Sequence, residues 1–77
     1  MDNITQEVIK LVACALECDE NSLDINSRLG RHEKWDSMGQ ISIVSAIETT
    51  FNIEIDDSNI DQLLSIHDIC IFVGNLQ

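Results

Sequence analysis

The residues best placed for chemistry in this chain are Asp36, Ser37 and Met38, because they open its most periodic helical segment. An aspartate just before a helix caps it, its carboxylate accepting hydrogen bonds from the first free backbone N–H groups. Ser37 then falls in the first turn, beside unpaired N–H donors and the positive end of the helix dipole. Such a place tolerates a phosphate esterified to the serine. A serine buried for packing would not sit there.

Other chemistry finds less support. A hydrolytic nucleophile elbow, G-x-S-x-G, needs glycine on both sides of the serine and a strand before it. Trp35 takes the first glycine place, only Gly39 fits the second, and Arg28 to Trp35 does not read as a strand. No catalytic residues are therefore expected. Calcium would use Asp19, Asn21 and Asp24, or Asp56, Asp57 and Asp61, but neither run supplies the glycine of an EF-hand loop, so no metal site is expected. His32 reads as a loop histidine and His67 as a helix-surface one. Cys14, Cys18 and Cys70 contain no C-x-x-C pair and read as small buried thiols in a reducing compartment. Asp57-Ser58 repeats the acid–serine pair, yet Asn59 follows it and its helix is much shorter. The dipeptide alone thus carries nothing; the arrangement around Ser37 does.

Several elements must position that serine. A first helix is expected from about Asn3, with Gln6 completing a capping box and Ile4, Val8, Leu11, Val12 and Ala15 on its apolar stripe. A long polar connection, 17–36, follows. Its spaced Leu23, Ile25 and Leu29 predict an ordered loop pinned to the core, since structureless loops of that length are uncommon in small domains. The second helix should span about 37–51, with Gln40, Ile43, Val44, Ile47 and Phe51 inward. Met38 and Ile41 fall on the opposite side with Ser45, Glu48 and Thr49, as candidates for a docking patch. Ile53 and Ile55 anchor an alternating linker, and a short turn covers 57–63. The last helix starts at Ser65, with Asp68 as its capping-box acid and Gly74 as its stop. The sum is an all-α, small four-helix bundle: three main helices, one short one and a long first loop.

With 77 residues the chain makes one domain, 1–77, that buries only about 60% of its unfolded surface, leaving little room for a deep cleft. Fourteen acids against four bases give a formal charge of −10. That excludes nucleic acid and anionic membranes as partners and favours proteins with basic patches. No apolar run approaches the roughly 20 residues of a membrane span, and the N-terminus lacks the regions of a signal peptide. A cytoplasmic monomer without membrane insertion is expected.

Taken together, the long polar loop, Asp36-Ser37-Met38 and the segment IVSAIETTFNIEI from Ile43 to Ile55 resemble the acyl carrier proteins over nearly the whole chain. The family's attachment motif is Asp-Ser-Leu, and methionine is a volume-conserving replacement at its third place. Ser65-Ile66-His67-Asp68-Ile69 is similar to the threonine-valine-x-aspartate start of the family's last helix. The resemblance implies that Ser37 is esterified by 4'-phosphopantetheine from coenzyme A, with Asp36 as its motif neighbour. A separate phosphopantetheinyl transferase, normally magnesium-dependent, would install the arm. The terminal thiol would then hold an acyl group while acyl-loading and acyl-processing enzymes act on it. By position, Met38, Ile41 and Glu48 become partner-facing, while Ile47, Ile55, Leu63 and Ile69 become candidates for an interior that receives an acyl chain.

Carriers of fatty-acid synthesis usually place acids right after the motif and along the second helix. Here those places hold Gly39, Ser42, Thr49 and Thr50, with only Glu48 remaining. The charge lies instead in the loop and at Asp56, Asp57 and Asp61, which adds Asp57 and Asp61 to the docking positions. A dedicated carrier for a polyketide, a lipid-modified glycan or an aminoacyl intermediate fits this at least as well as fatty-acid synthesis. Asp-Ser-Met-Gly also resembles the D-alanyl carriers of cell-wall modification, so an aminoacyl, D-alanyl or peptidyl carrier is the alternative. A non-carrier acidic adaptor, in which Ser37 would be dispensable, is the remaining alternative.

Overall fold

The second helix shows most directly how this sequence sets its own boundaries. It runs Ser37–Phe51, as the periodicity predicts, and both ends have a local cause. At the start, Asp36 lies in extended backbone and its Oδ1 accepts the Gly39 N–H at 2.9 Å. At the end, Asn52 adopts the left-handed conformation with φ 55°, and the N–H groups of Asn52 and Ile53 both donate to the Glu48 carbonyl. Asparagine is among the few residues that enter this region at little cost.

A computed structural model of the chain describes residues 3–60 and 62–76, the side chain of Asp57 excepted. In chain order the elements are α1 (Asn3–Leu16), a single 3-10 turn (Glu20–Ser22), α2 (Ser37–Phe51), α3 (Asp57–Ile60) and α4 (Ile66–Leu76). The described residues contain four α-helices and no strand, the all-α bundle that the periodicity predicts. α1 packs against both α2 and α4. Its fully buried stripe is Val8, Val12, Ala13 and Leu16, and Ile4, Leu11 and Ala15 are half-buried beside it. Serving two neighbours widens that face beyond the single stripe expected. Ile43 and Ile47 of α2 and Ile66, Ile69 and Val73 of α4 complete one core with Leu23, Trp35 and Leu63.

The long loop is ordered, as expected, though not through every residue named for it. Leu23 is buried and Leu29 half-buried, whereas Ile25, at 37% exposure, is not part of the core cluster. Backbone bonds hold the loop instead. Arg28 forms an isolated antiparallel bridge with Ser65. Around it, the Leu29 N–H donates to the Leu64 carbonyl and the Ile66 N–H to the Ser27 carbonyl, each at 2.9 Å. Gly30, at φ 85°, turns the chain so that its N–H reaches the Trp35 carbonyl at 3.1 Å.

Two further expectations need correction. Gly74 does not stop α4, which continues to Leu76. Glycine permits the left-handed stop without imposing it, and Gly74 keeps a negative φ inside the last turn. Cys14 is exposed and not buried, because it lies off the α1 stripe; Cys18 and Cys70 are half-buried. The start of α4 follows the capping reading: the Ser65 Oγ accepts the Asp68 N–H at 3.0 Å. Similarly, α3 is capped by Asp56, whose Oδ1 accepts the backbone N–H and the hydroxyl of Ser58.

Candidate functional site

Ser37 occupies the first helical position of α2 and is exposed. Asp36 takes the Gly39 N–H with its side chain, and its carbonyl accepts the Gln40 N–H at 2.8 Å. An α-helix leaves its first N–H groups without intrahelical partners, so those of Ser37 and Met38 add to the positive end beside the hydroxyl. The site therefore offers a hydroxyl on the surface, a fixed helix start and an environment suited to a negatively charged ester.

What fixes the junction was not legible in the motif. Trp35, two residues before the serine, is fully buried at 0% exposure. Its indole N–H donates to the Gln40 Oε1 at 2.6 Å, and the Gln40 amide donates onward to the Leu63 carbonyl at 3.0 Å. Gln40 is the sole buried polar side chain among the described residues, and both ends of its amide are used. Buried polar groups stay where their partners are, because losing one strands the other away from water. This chain of bonds ties the loop before Ser37, the first turn of α2 and the segment before α4 into one unit. A glutamine on an otherwise aliphatic stripe, five residues after the only tryptophan, is the signal that could have revealed it.

Gly39 is held just as tightly. A Cβ built there would lie 2.5 Å from the Lys34 carbonyl oxygen and 2.7 Å from the Leu16 Cδ2, well inside van der Waals contact. Any side chain there, an acidic one included, would force the Lys34 backbone or the Leu16 side chain to shift.

The other predicted positions fall as follows. Met38 and Ile41 are 74% and 66% exposed, on the outer side of α2 as the helical spacing requires. Glu48 is half-buried, and one carboxylate oxygen accepts the Ile55 N–H at 2.8 Å, strapping the linker to the end of α2. Asp57 opens α3, but its side chain and the whole of Asp61 lie outside the described residues. Ile47, Leu63 and Ile69 are at 0% exposure within the core, and Ile55 is half-buried against it. Between α2 and α3, Ile41, Val44, Ser45, Glu48 and Ile60 line a shallow depression of about 250 Å³. His32 is fixed by its neighbours: Nδ1 accepts the Lys34 N–H, leaving Nε2 of the neutral ring to donate to the Ser22 Oγ. His67 is exposed. Among the described residues no cluster of side chains could hold a metal ion, and no helix is long and apolar enough to cross a membrane.

Residues 6–73 match the family model described as a phosphopantetheine attachment site. The chain belongs to the acyl carrier protein family. It is similar to the acyl carrier protein of Campylobacter lari, 32% identical over 74 residues and covering 96% of each chain. The acyl carrier protein of Campylobacter hominis is 32% identical over 73 residues, covering 95% of this chain and 92% of its own. That of Rickettsia canadensis is 29% identical over 76 residues, covering 99% of this chain and 88% of its own. The family function is that of an acyl carrier, and the cofactor is covalently attached 4'-phosphopantetheine. The residues around Ser37 suit that group, since an exposed primary hydroxyl meets the N-terminus of a capped helix.

Proposed function

We propose that Ser37 is the attachment residue and that the chain passes thioester-bound intermediates between enzymes of a specialised biosynthetic pathway. The observation that carries this reading is the exposed hydroxyl at the first position of α2, directly after the Asp36 cap. A phosphopantetheinyl transferase would form the bond from the Ser37 Oγ to phosphorus and cleave the diphosphate of coenzyme A, with the serine proton leaving to a base. The arm supplies the thiol that holds the acyl group, so the chain itself needs no catalytic side chains. Its own residues present, orient and dock.

Docking falls to Met38 and Ile41, whose exposure leaves them free for a partner. The acids Asp57, Asp61 and Glu48 would meet basic patches on the transferase and the acyl-processing enzymes. Such contacts speed encounter and fix orientation more than they raise affinity. The absence of an acid at position 39 follows from packing and says nothing about the pathway. Ser42, Thr49 and Thr50 are exposed, where acids would fit freely, so those positions support a specialised partner set. An acyl chain entering among Ile47, Ile55, Leu63 and Ile69 would have to part a filled core.

The test is direct. The unmodified protein is incubated with coenzyme A, magnesium and a broad-specificity transferase, and its intact mass is recorded. A gain of one phosphopantetheinyl group, absent in Ser37→Ala, is expected. No gain, or a gain that survives the substitution, would overturn the assignment.

A further inference from the structure

We infer that the loop 28–34 is a second docking surface, of opposite charge, built to receive an acidic patch on a partner protein. Three of the chain's four Lys and Arg residues, Arg28, Arg31 and Lys34, fall within these seven residues. Counting Glu33, the segment carries +2, while the remainder of the chain carries −12. All three cations are exposed, and among the described residues none forms an ion pair despite the surplus of acids. Cations scattered at random on so acidic a surface would be drawn into local pairs; here they are grouped and left available.

The backbone beneath them is fixed. The Arg31 N–H donates to the Arg28 carbonyl, the Trp35 N–H to the His32 carbonyl, and the Gly30 N–H to the Trp35 carbonyl. His32 bridges the Lys34 N–H and the Ser22 hydroxyl, which in turn donates to the Asp19 carbonyl. The cations thus stand on a preorganised platform, which lowers the cost of ordering them on binding. Their place matters too. The Lys34 carbonyl packs against Gly39 in the first turn of α2, so the patch borders Ser37 and the exposed Met38.

The occupant is an acidic patch on a folded protein and not a polyanion. Nucleic acid or an anionic bilayer extends well beyond the Debye length of about 8 Å, and would overlap the acid-rich remainder of the surface. A local patch on a protein meets chiefly the loop, with Asp19 and Glu33 the acids that share a depression with Arg31 and Lys34. A partner carrying acids opposite the loop and bases opposite α2 and α3 can dock in one orientation alone, which aims the tether point at its active site.

This inference rests on the tether reading only for the proximity to Ser37, and its test stands apart from the mass assay. The isotope-labelled full chain, with and without the arm, is titrated with hexaglutamate while backbone amide shifts are followed by NMR. An oligonucleotide of equal charge and vesicles of mixed neutral and anionic phospholipid are run as further probes. Shifts confined to 28–34 and the start of α2 are expected, with none at Lys10. Neutralising Arg28→Gln, Arg31→Gln and Lys34→Gln one at a time should weaken binding about two- to fivefold each, as for exposed ion pairs. Lys10→Gln, which changes total charge equally, should not. No localised response, an equal response to Lys10→Gln, or tighter binding of the oligonucleotide or vesicles would overturn it. A chain that fails the titration yet gains the arm refutes only the cationic surface; the reverse result refutes only the tether.

Discussion

Replacing Gly39 by alanine sets two effects against each other, and the structure says which wins. In an open helix the change gains about 0.8–1.0 kcal/mol of propensity. Here the new Cβ would stand 2.5 Å from the Lys34 carbonyl oxygen and 2.7 Å from the Leu16 Cδ2. Leu16 is 6% exposed and can retreat only into a filled core. Lys34 is backbone in a turn closed by the Gly30 to Trp35 bond, so its carbonyl cannot swing aside cheaply. Overpacking costs about 1–3 kcal/mol, and with backbone as one neighbour about 2–3, which leaves a net loss of roughly 1–2 kcal/mol after the propensity gain. For a domain of this size that lowers Tm by about 5–15 °C. Gly74→Ala is the control. Its Cβ would meet only the Ile4 Cδ1 at 3.9 Å, an ordinary contact, so the propensity gain should raise Tm by a few degrees. Far-UV circular dichroism melts of both variants at fixed pH and salt decide the matter. A Gly39→Ala protein that melts at or above the parent would refute the packing argument.

Trp35→Phe should cost about 1–3 kcal/mol, since it strands the buried Gln40 oxygen, and a double-mutant cycle with Gln40→Met should show strong coupling. Met38→Asp, at a 74% exposed position, should leave the melting curve within a degree or two while slowing modification by the transferase; a large fall in Tm would mean the side chain is packed. Glu17 closes α1 at φ 55°, so Glu17→Gly should stabilise by roughly 0.5–1 kcal/mol, and an unchanged or lower Tm would count against strain there. The Ser58 hydroxyl, and after it the N–H groups of Ser58 and Asn59, hold the Asp56 carboxyl below its ordinary value of 3.8. Because the folded value is depressed, this contribution is complete above 3.8 and disappears as pH falls through the folded value. Carboxyl NMR titration should place Asp56 below 3.8 and Ser58→Ala should move it upward; equal midpoints in the two proteins would sink the assignment.

The parts of this fold that were legible in the sequence are those with local causes. α2 begins and ends where expected because Asp36 caps it and its inward residues keep one period to Phe51. Ser65 and Asp68 announce α4 for the same reason. What escaped notice depends on partners distant in the chain. Nothing in Asp36-Ser37-Met38 says that Trp35 is buried; its bond to the inward Gln40, and through Gln40 to Leu63, decides that. Leu23 and Ile25 read alike in sequence, yet Leu23 joins the core at 7% exposure while Ile25 stays 37% exposed. Gly74 shows the limit of a composition rule, because a glycine near a helix end records permission and not a stop. Within the site, the helix start and its Asp36 cap could be read from the arrangement around Ser37, whereas the tight packing at position 39 depends on Lys34 and Leu16.

The clasp between Ser27–Leu29 and Leu64–Ile66 has a temporal meaning as well. During synthesis Ser37 leaves the ribosome well before the residues that grip its loop. Until Leu63 arrives to accept the Gln40 amide, the helix start is held by its own cap and by the Trp35 bonds to Gln40 and Gly30, without the tie to the segment before α4. Non-local closures of this sort come late, after their loop entropy has been met. The Ser37 hydroxyl therefore reaches its final presentation only when residues through Ile66 have emerged, and on the proposed attachment there, loading of a nascent chain would lag its translation.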